Sequence, residues 1–180
     1  ESAERDRRRH DAEMMMRVHA LRAMELFSTL SEEELLHLAN TLAWAPFSKG
    51  DVITRQGAVA HWLYVIVSGE VDIWYEVNEH ERRFLTTLPS GRVVGEMGLM
   101  TGEPRRATVI ARTEVECYRI DKTNFEHIMH SRPELAEEFA RILAERSQQL
   151  MAVQQGANSH EQHQARILDG IRRFFRLDSK

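Results

Sequence analysis

The residues best placed to do chemistry lie in one stretch, Gly95-Glu96-Met97-Gly98-Leu99-Met100-Thr101-Gly102-Glu103-Pro104-Arg105-Arg106-Ala107-Thr108-Val109. An acid follows a glycine directly, and two arginines come back toward it within the next ten residues. The glycines and Pro104 predict a tightly folded loop, neither helix nor strand. A carboxylate accepts a hydrogen bond from a hydroxyl, and a guanidinium fork gives a phosphate two parallel charge-assisted bonds that lysine cannot match. Small backbone beside paired opposite charge therefore suits a ligand carrying both hydroxyls and an anionic phosphate. Pairing acid with arginine also keeps either from being buried alone, which costs several kcal/mol. The competing reading is a Glu–Arg salt bridge stapling a long surface loop.

Other chemistries lack their residues. No Gly-Lys-Ser/Thr follows the glycines and no Gly-x-Gly-x-x-Gly occurs, which excludes the common phosphate loops. An acid in Gly95-Glu96-Met97-Gly98 would repel an RNA backbone. Among nine histidines, His127 with His130 and His160 with His163 have helical spacing, but no Cys or carboxylate set completes a metal site. They read as surface histidines. The strands carry no His-x-His of a cupin-like metalloenzyme, and no nucleophile–base pair is visible. The expectation is a protein with no catalytic residues and no metal site, and so no enzyme.

The net charge of -4 and pI near 6.2 argue against nucleic acid as the main partner, because duplex binding needs a basic face. Within 180 residues, 42% hydrophobic and 29% charged, there is room for one domain with extra helices. The single cysteine, Cys117, excludes an internal disulfide framework and reads as a small packing residue in a strand. The longest apolar run, Trp62 to Val67, falls far short of a membrane span of ~20 residues. No signal-peptide pattern opens the chain.

The elements that must position the loop follow from periodicity. Glu1 to Met24 is charged and helix-favouring, with Met15, Val18, Leu21 and Met24 at helical spacing. Its opening, Glu4 to Arg9, reads as a solvated face or linker, with a basic docking patch as the alternative. Ser31 to Glu34 is a capping box before a short helix carrying Leu35, Leu38, Ala39 and Leu42. From Ala43 to Ile120 the period becomes two. Strand-like runs at Asp51–Thr54, Trp62–Val67, Val71–Tyr75, Phe84–Leu88, Ala107–Ala111 and Val115–Ile120 are separated by turn signals, which indicates an antiparallel sandwich or barrel. A helix over Lys122–His130 should break before Pro133, and Pro133 suits the first turn of the next helix. That helix carries a stripe of Leu135, Phe139, Ile142, Leu143, Leu150 and Val153. Gln154–His163 is polar and reads as a linker. Arg166–Leu177 reads as a short amphipathic helix with Ile167, Leu168, Ile171, Phe174 and Phe175 on one side.

Helices, a β-roll, then helices, with the unusual loop late in the roll, resemble the cyclic nucleotide-binding domain family over roughly Leu26 to Arg146. The resemblance rests on Gly50-Asp51, Gln56-Gly57, Gly69 and above all Gly95-Glu96 with Pro104-Arg105-Arg106-Ala107-Thr108-Val109, which is similar to the family's phosphate-binding cassette. It implies an α+β fold: an antiparallel, jelly-roll-like β-roll flanked by N-terminal helices and by C-terminal hinge and lid helices. The domain is expected at 26–153, with the roll over 43–120, the hinge and lid over 122–153, a helical linker at 1–25, and a polar linker with a short helix at 154–180. It also implies that Arg105 takes the phosphate and Glu96 the ribose hydroxyl. Backbone groups of Gly95, Met97, Arg106 and Ala107 would complete the cradle, with a short helical turn starting near Glu96. Family members preferring cGMP often carry Thr after the phosphate arginine; here it is Arg106, so cAMP is the expected ligand. The long side chain of Arg106 must point to solvent or add to the phosphate. Arg146 is the candidate for stacking on the purine, with Leu143 beside it, a solvent-facing Arg146 as the alternative and Arg141 as a competitor.

The implied role is a cAMP sensor that regulates an attached effector as its C-terminal helices close over the ligand. The ending Ile167 to Leu177 resembles the C-termini of bacterial small-conductance mechanosensitive-type channels that carry this domain. Together with a first residue other than Met, this makes a cytoplasmic C-terminal domain of an inner-membrane ion channel the leading expectation, near the membrane and oligomeric through its parent. A sensor on a soluble effector and a ligand-independent assembly module are the alternatives. The tail itself reads equally as a helix packing on its own roll or lying on a membrane surface.

Overall fold

A computed structural model describes residues 1–151 and 157–177, with side chains described outside 147–160. Helix α1 (Ser2–Arg22), a 3-10 turn (Glu25–Phe27) and α2 (Glu32–Thr41) lead into strands β1 (Ala43–Phe47), β2 (Val52–Thr54), β3 (Trp62–Ser68), β4 (Val71–Glu76), β5 (Arg82–Leu88) and β6 (Val93–Val94). Helix α3 (Glu96–Thr101), strands β7 (Thr108–Ala111) and β8 (Val115–Asp121), and helices α4 (Lys122–Ser131), α5 (Leu135–Met151) and α6 (Ala157–Phe175) follow. The expected α+β architecture is present: two four-stranded antiparallel sheets, ordered β1-β8-β3-β6 and β2-β7-β4-β5, form the roll.

Strand β3 explains how the roll meets the helices. Its central residues Leu63, Tyr64, Val65 and Ile66 are all buried, so alternation sends one pair to each face. Tyr64 and Ile66 join Ile53, Val71, Val109, Val115 and Cys117 inside the roll. Leu63 and Val65 join Leu26, Phe27, Leu38, Leu99, Phe125, Phe139 and Phe175 in a helical core. The cassette helix α3 thus rests on β3 through Leu99 and Met100, both fully buried.

Local chemistry fixes the helix ends. The capping box is complete: Glu34 N–H donates to Ser31 Oγ at 3.2 Å and Ser31 N–H to Glu34 Oε1 at 2.8 Å. Glu34 also pairs with Arg132 at 2.5 Å, tying α2 to the end of α4. The break before Pro133 is present. The new helix starts at Leu135, with Pro133 in the turn that leads into it, its carbonyl accepting from Ala136 N–H at 3.1 Å.

Three expectations need correction, and one open alternative is resolved. Two strands, β1 and β6, were not anticipated: β1 contains Pro46, tolerable because it lies at a sheet edge and pairs only with β8. The glycine-rich stretch is not all loop, since Gly95 and Gly102, with φ of 83° and 75°, bracket the six-residue helix α3. Left-handed residues at both ends, which only glycine adopts at no steric cost, delimit this helix and do not exclude it. Residues 157–163, read as linker, are the first turns of α6; polar side chains without Gly or Pro do not stop helix propagation. The rest of that linker and Val153 lie outside the described residues. Finally, α6 packs on its own domain, with Ile167, Ile171 and Phe175 buried.

Cys117 behaves as a core residue: fully buried in β8, its thiol is pushed by burial from an ordinary 9.0 to about 12. The folded chain keeps a proton that the unfolded chain releases, so stability is unaffected below pH 9.0 and falls as pH rises toward 12. Urea unfolding from pH 8 to 10.5 should show a slope up to ~1.4 kcal/mol per pH unit steeper for the native chain than for Cys117→Ala. Equal slopes would contradict this assignment.

Candidate functional site

The site residues come from three segments brought together by the roll. Gly95 to Thr101 forms the N-cap and body of α3, residues 103–107 return along the β2–β3 turn, and Arg146 arrives from α5. The return is zipped by backbone: Arg105 N–H donates to Ala58 O at 2.8 Å and Gly57 N–H to Arg105 O at 2.7 Å. Thr108, almost fully buried, accepts from Gln56 N–H at 3.0 Å.

Arg105 lies beneath α3 and is only 5% exposed. Its Nε donates to Thr54 Oγ1 at 3.1 Å, Nη1 to Gly95 O at 2.7 Å and Nη2 to Trp62 O at 2.6 Å. A guanidinium has five N–H donors, so these bonds leave two for another acceptor. Burial lowers the guanidinium pKa, and the nearby Tyr64 and Glu96 oppose that shift. The guanidinium sits where a Cβ on Gly95 or Gly98 would go, and a Cβ on Gly98 would also lie 2.5 Å from Ala60 O. Bare glycine at both positions is what lets the charge approach the helix backbone.

Glu96 does not ion-pair with Arg105, contrary to expectation. Its partner is Arg146, with Nη1 3.9 Å from Glu96 Oε1 and both side chains largely covered. The sequence could not decide between these two cations because α5's approach is a tertiary matter. Arg146 therefore faces the cassette and not bulk solvent. Arg141 does not compete for the site: exposed on the outer face of α5, it pairs with Glu138 and, at 3.0 Å, with Glu145. The Glu138 bond and charge raise its pKa. Arg106 takes the solvent alternative, pairing with Glu103 at 2.8 Å across a half-exposed surface.

Three contributors escaped the sequence reading: Thr54 and the Trp62 carbonyl, which orient Arg105, and Phe174, which lies against Gly102 at the end of α3. The only signal for them was a hydroxyl in β2 and aromatics on the last helix. Among the described residues, no group of three or more His, Cys, Asp or Glu could hold a metal ion, and no helix is long and apolar enough to cross a membrane.

Comparison with known proteins bears on the family and the fold. A family model described as "Cyclic nucleotide-binding domain" matches residues 45–132. The chain is 32% identical over 104 residues to a cAMP-dependent protein kinase regulatory subunit of Blastocladiella emersonii, covering 58% of this chain and 26% of that one. It is 33% identical over 124 residues to a cyclic nucleotide-gated potassium channel of Rhizobium etli, covering 69% of this chain and 33% of that one. The chain thus spans a third or less of the length of these relatives. In fold it matches the regulatory domain of Toxoplasma gondii protein kinase A, solved with cAMP, with a TM-score of 0.63 at 22% identity over 72% of this chain and 50% of that one.

Proposed function

The chain belongs to the cyclic nucleotide-binding domain family through residues 45–132, and from that premise we propose that it is a cAMP sensor regulating an attached effector, with a membrane ion channel the leading candidate. The observation that carries the reading is Arg105, buried beneath a glycine-capped helix with two donors uncommitted. Arg105 takes the cyclic phosphate, helped by backbone groups of Gly95, Met97, Arg106 and Ala107. Glu96 takes the ribose hydroxyl, and Arg146 exchanges its bond to Glu96 for the base. No catalytic role is assigned. The channel context draws support from the Rhizobium relative and from the resemblance of Ile167 to Leu177 to channel C-termini; on this reading the domain lies on the cytoplasmic side.

The mechanism is a population shift. Ligand favours the state in which α4 and α5 close over it, and the shift is no larger than its differential affinity for the two states. Pro133, between those helices, is the hinge. Before ligand arrives Glu96 is paired with Arg146, whereas Arg105 is held by neutral groups only and keeps a buried charge without a counter-ion. The cyclic phosphate supplies that counter-charge in a site already poor in water.

Thermal unfolding of the native chain tests the reading. With cAMP at a hundred times its Kd, stability should rise by ~2.7 kcal/mol, several degrees in midpoint, whereas 5′-AMP, an open-ring dianion, should do little. No shift with cAMP or cGMP would sink it. Specificity gives a second expectation. Arg106→Thr supplies a hydroxyl where cGMP-preferring relatives have one, so the cGMP-to-cAMP affinity ratio should rise about fivefold, the worth of one ~1 kcal/mol hydrogen bond. An unchanged ratio in competition binding would remove residue 106 from base recognition.

A further inference from the structure

Helix α6 meets the cassette at two glycines. The Phe174 ring lies close against Gly102, where a Cβ would fall 2.6 Å from ring Cε1. One turn earlier, a Cβ at Gly170 would fall 3.4 Å from Thr101 Cβ. Phe174 also packs edge-on against the His61 ring, with centroids 4.9 Å apart, and lies under Lys122 Nζ at 3.9 Å. Its neighbour Phe175 is buried against Phe125 of the hinge helix, with centroids 6.2 Å apart. One side chain of α6 therefore touches the cassette, the residue before β3 and the start of α4.

Those contacts adjoin the bonds that hold Arg105. His61 precedes Trp62, whose carbonyl accepts from Arg105 Nη2 at 2.6 Å, and Gly102 lies three residues before Arg105 on the returning segment. In the same arrangement Arg105 is 5% exposed and Glu96 is engaged by Arg146. A phosphate on the two remaining donors of Arg105 would press on this same segment, whose flanking residues His61 and Gly102 lie against Phe174.

We infer that α6 is a brake on the nucleotide site: docked through Phe174 and Gly170, it holds the cassette in its arginine-buried form, and nucleotide and docked α6 oppose one another. This rests on the cyclic nucleotide reading and goes beyond it by adding a segment outside the hinge and lid. Because coupling is reciprocal, whatever weakens α6 docking tightens nucleotide binding, and nucleotide loosens α6. The helix released is the one carrying Arg172, Arg173 and Arg176, so it serves as the output element.

The test is a reversible lock in the full chain. The 3.4 Å between Cβ positions at 101 and 170 is near the ~3.5–4.5 Å that a disulfide spans, so Thr101→Cys with Gly170→Cys can tie α6 to the cassette. Cys117, fully buried with its thiol pushed to about 12, stays out of the exchange. The oxidised protein should bind cAMP at least tenfold more weakly than the same protein after reduction, and Phe174→Ala should bind several-fold more tightly than the native chain. If the native chain binds cAMP but oxidised and reduced forms bind equally, or the oxidised form binds better, the brake is overturned while the sensor reading stands. If only Phe174→Ala or the reduced double variant binds, the brake is upheld in a stronger form. If no form binds cAMP or cGMP, both fall.

Discussion

Arg105→Ala should weaken cAMP binding by two to three orders of magnitude, and should also destabilise the chain. Removing one side of a buried arginine–phosphate pair costs about 2–5 kcal/mol, chiefly because the other charge is left unpartnered. The stability effect has a separate cause. Arg105 donates to the part-buried carbonyls of Gly95 and Trp62 and to the Thr54 hydroxyl; Gly95 O keeps a bond from Leu99 N–H at 3.3 Å, and each hydrogen bond lost from a charged donor costs ~1.5–3 kcal/mol. The two effects separate in Arg105→Lys. A lysine keeps the charge and can serve some of those acceptors, so part of the stability should return. It lacks the planar fork, so most of the affinity should not. Urea unfolding and competition binding on the same samples give both numbers. A variant that lost stability but bound cAMP normally would reduce Arg105 to a staple of β2, β3 and the cassette, the rival reading of this stretch.

The second large effect lies outside the site. Phe125→Ala should cost ~3–5 kcal/mol, a large share of the 5–15 kcal/mol typical of a domain. Phe125 is fully buried on α4, and its ring meets Phe139 at 5.5 Å and both Phe27 and Phe175 at 6.2 Å. Four elements therefore share one ring: the 3-10 turn, the hinge helix, α5 and α6. Phe125→Leu, which removes only part of the ring's volume, should lose less than the alanine, because the cavity it leaves is smaller. The difference between the two variants in urea midpoint isolates the cavity contribution. A cost below ~1 kcal/mol for the alanine would mean that the hinge helix is not packed as described.

These effects mark what the sequence could and could not yield. The capping box at Ser31 was legible because its two hydrogen bonds span three residues and need no tertiary partner. The approach of Arg105 to Gly95 was legible because glycine and arginine recur within ten residues, and the structure sets Nη1 2.7 Å from Gly95 O. Partner choice was not. Glu96 has Arg105 and Arg106 within ten positions, yet its ion-pair partner is Arg146, fifty residues away. Strand β1 hid behind Pro46, a residue that argues against a strand until its edge position is known. The apolar face of α6 was visible as Ile167, Ile171 and Phe175, but periodicity says only that a face is covered, never by what. The contact between Phe174 and Gly102 joins two segments that only the finished fold brings together.

The measurement that bears most directly on the central claim is calorimetric titration of cAMP, with cGMP in parallel, into the native chain. The account predicts one saturable site with cAMP bound more tightly than cGMP. Absence of saturable heat for both nucleotides at millimolar concentration would contradict it, leaving the cassette as a folded scaffold in which Arg105 serves only its own backbone.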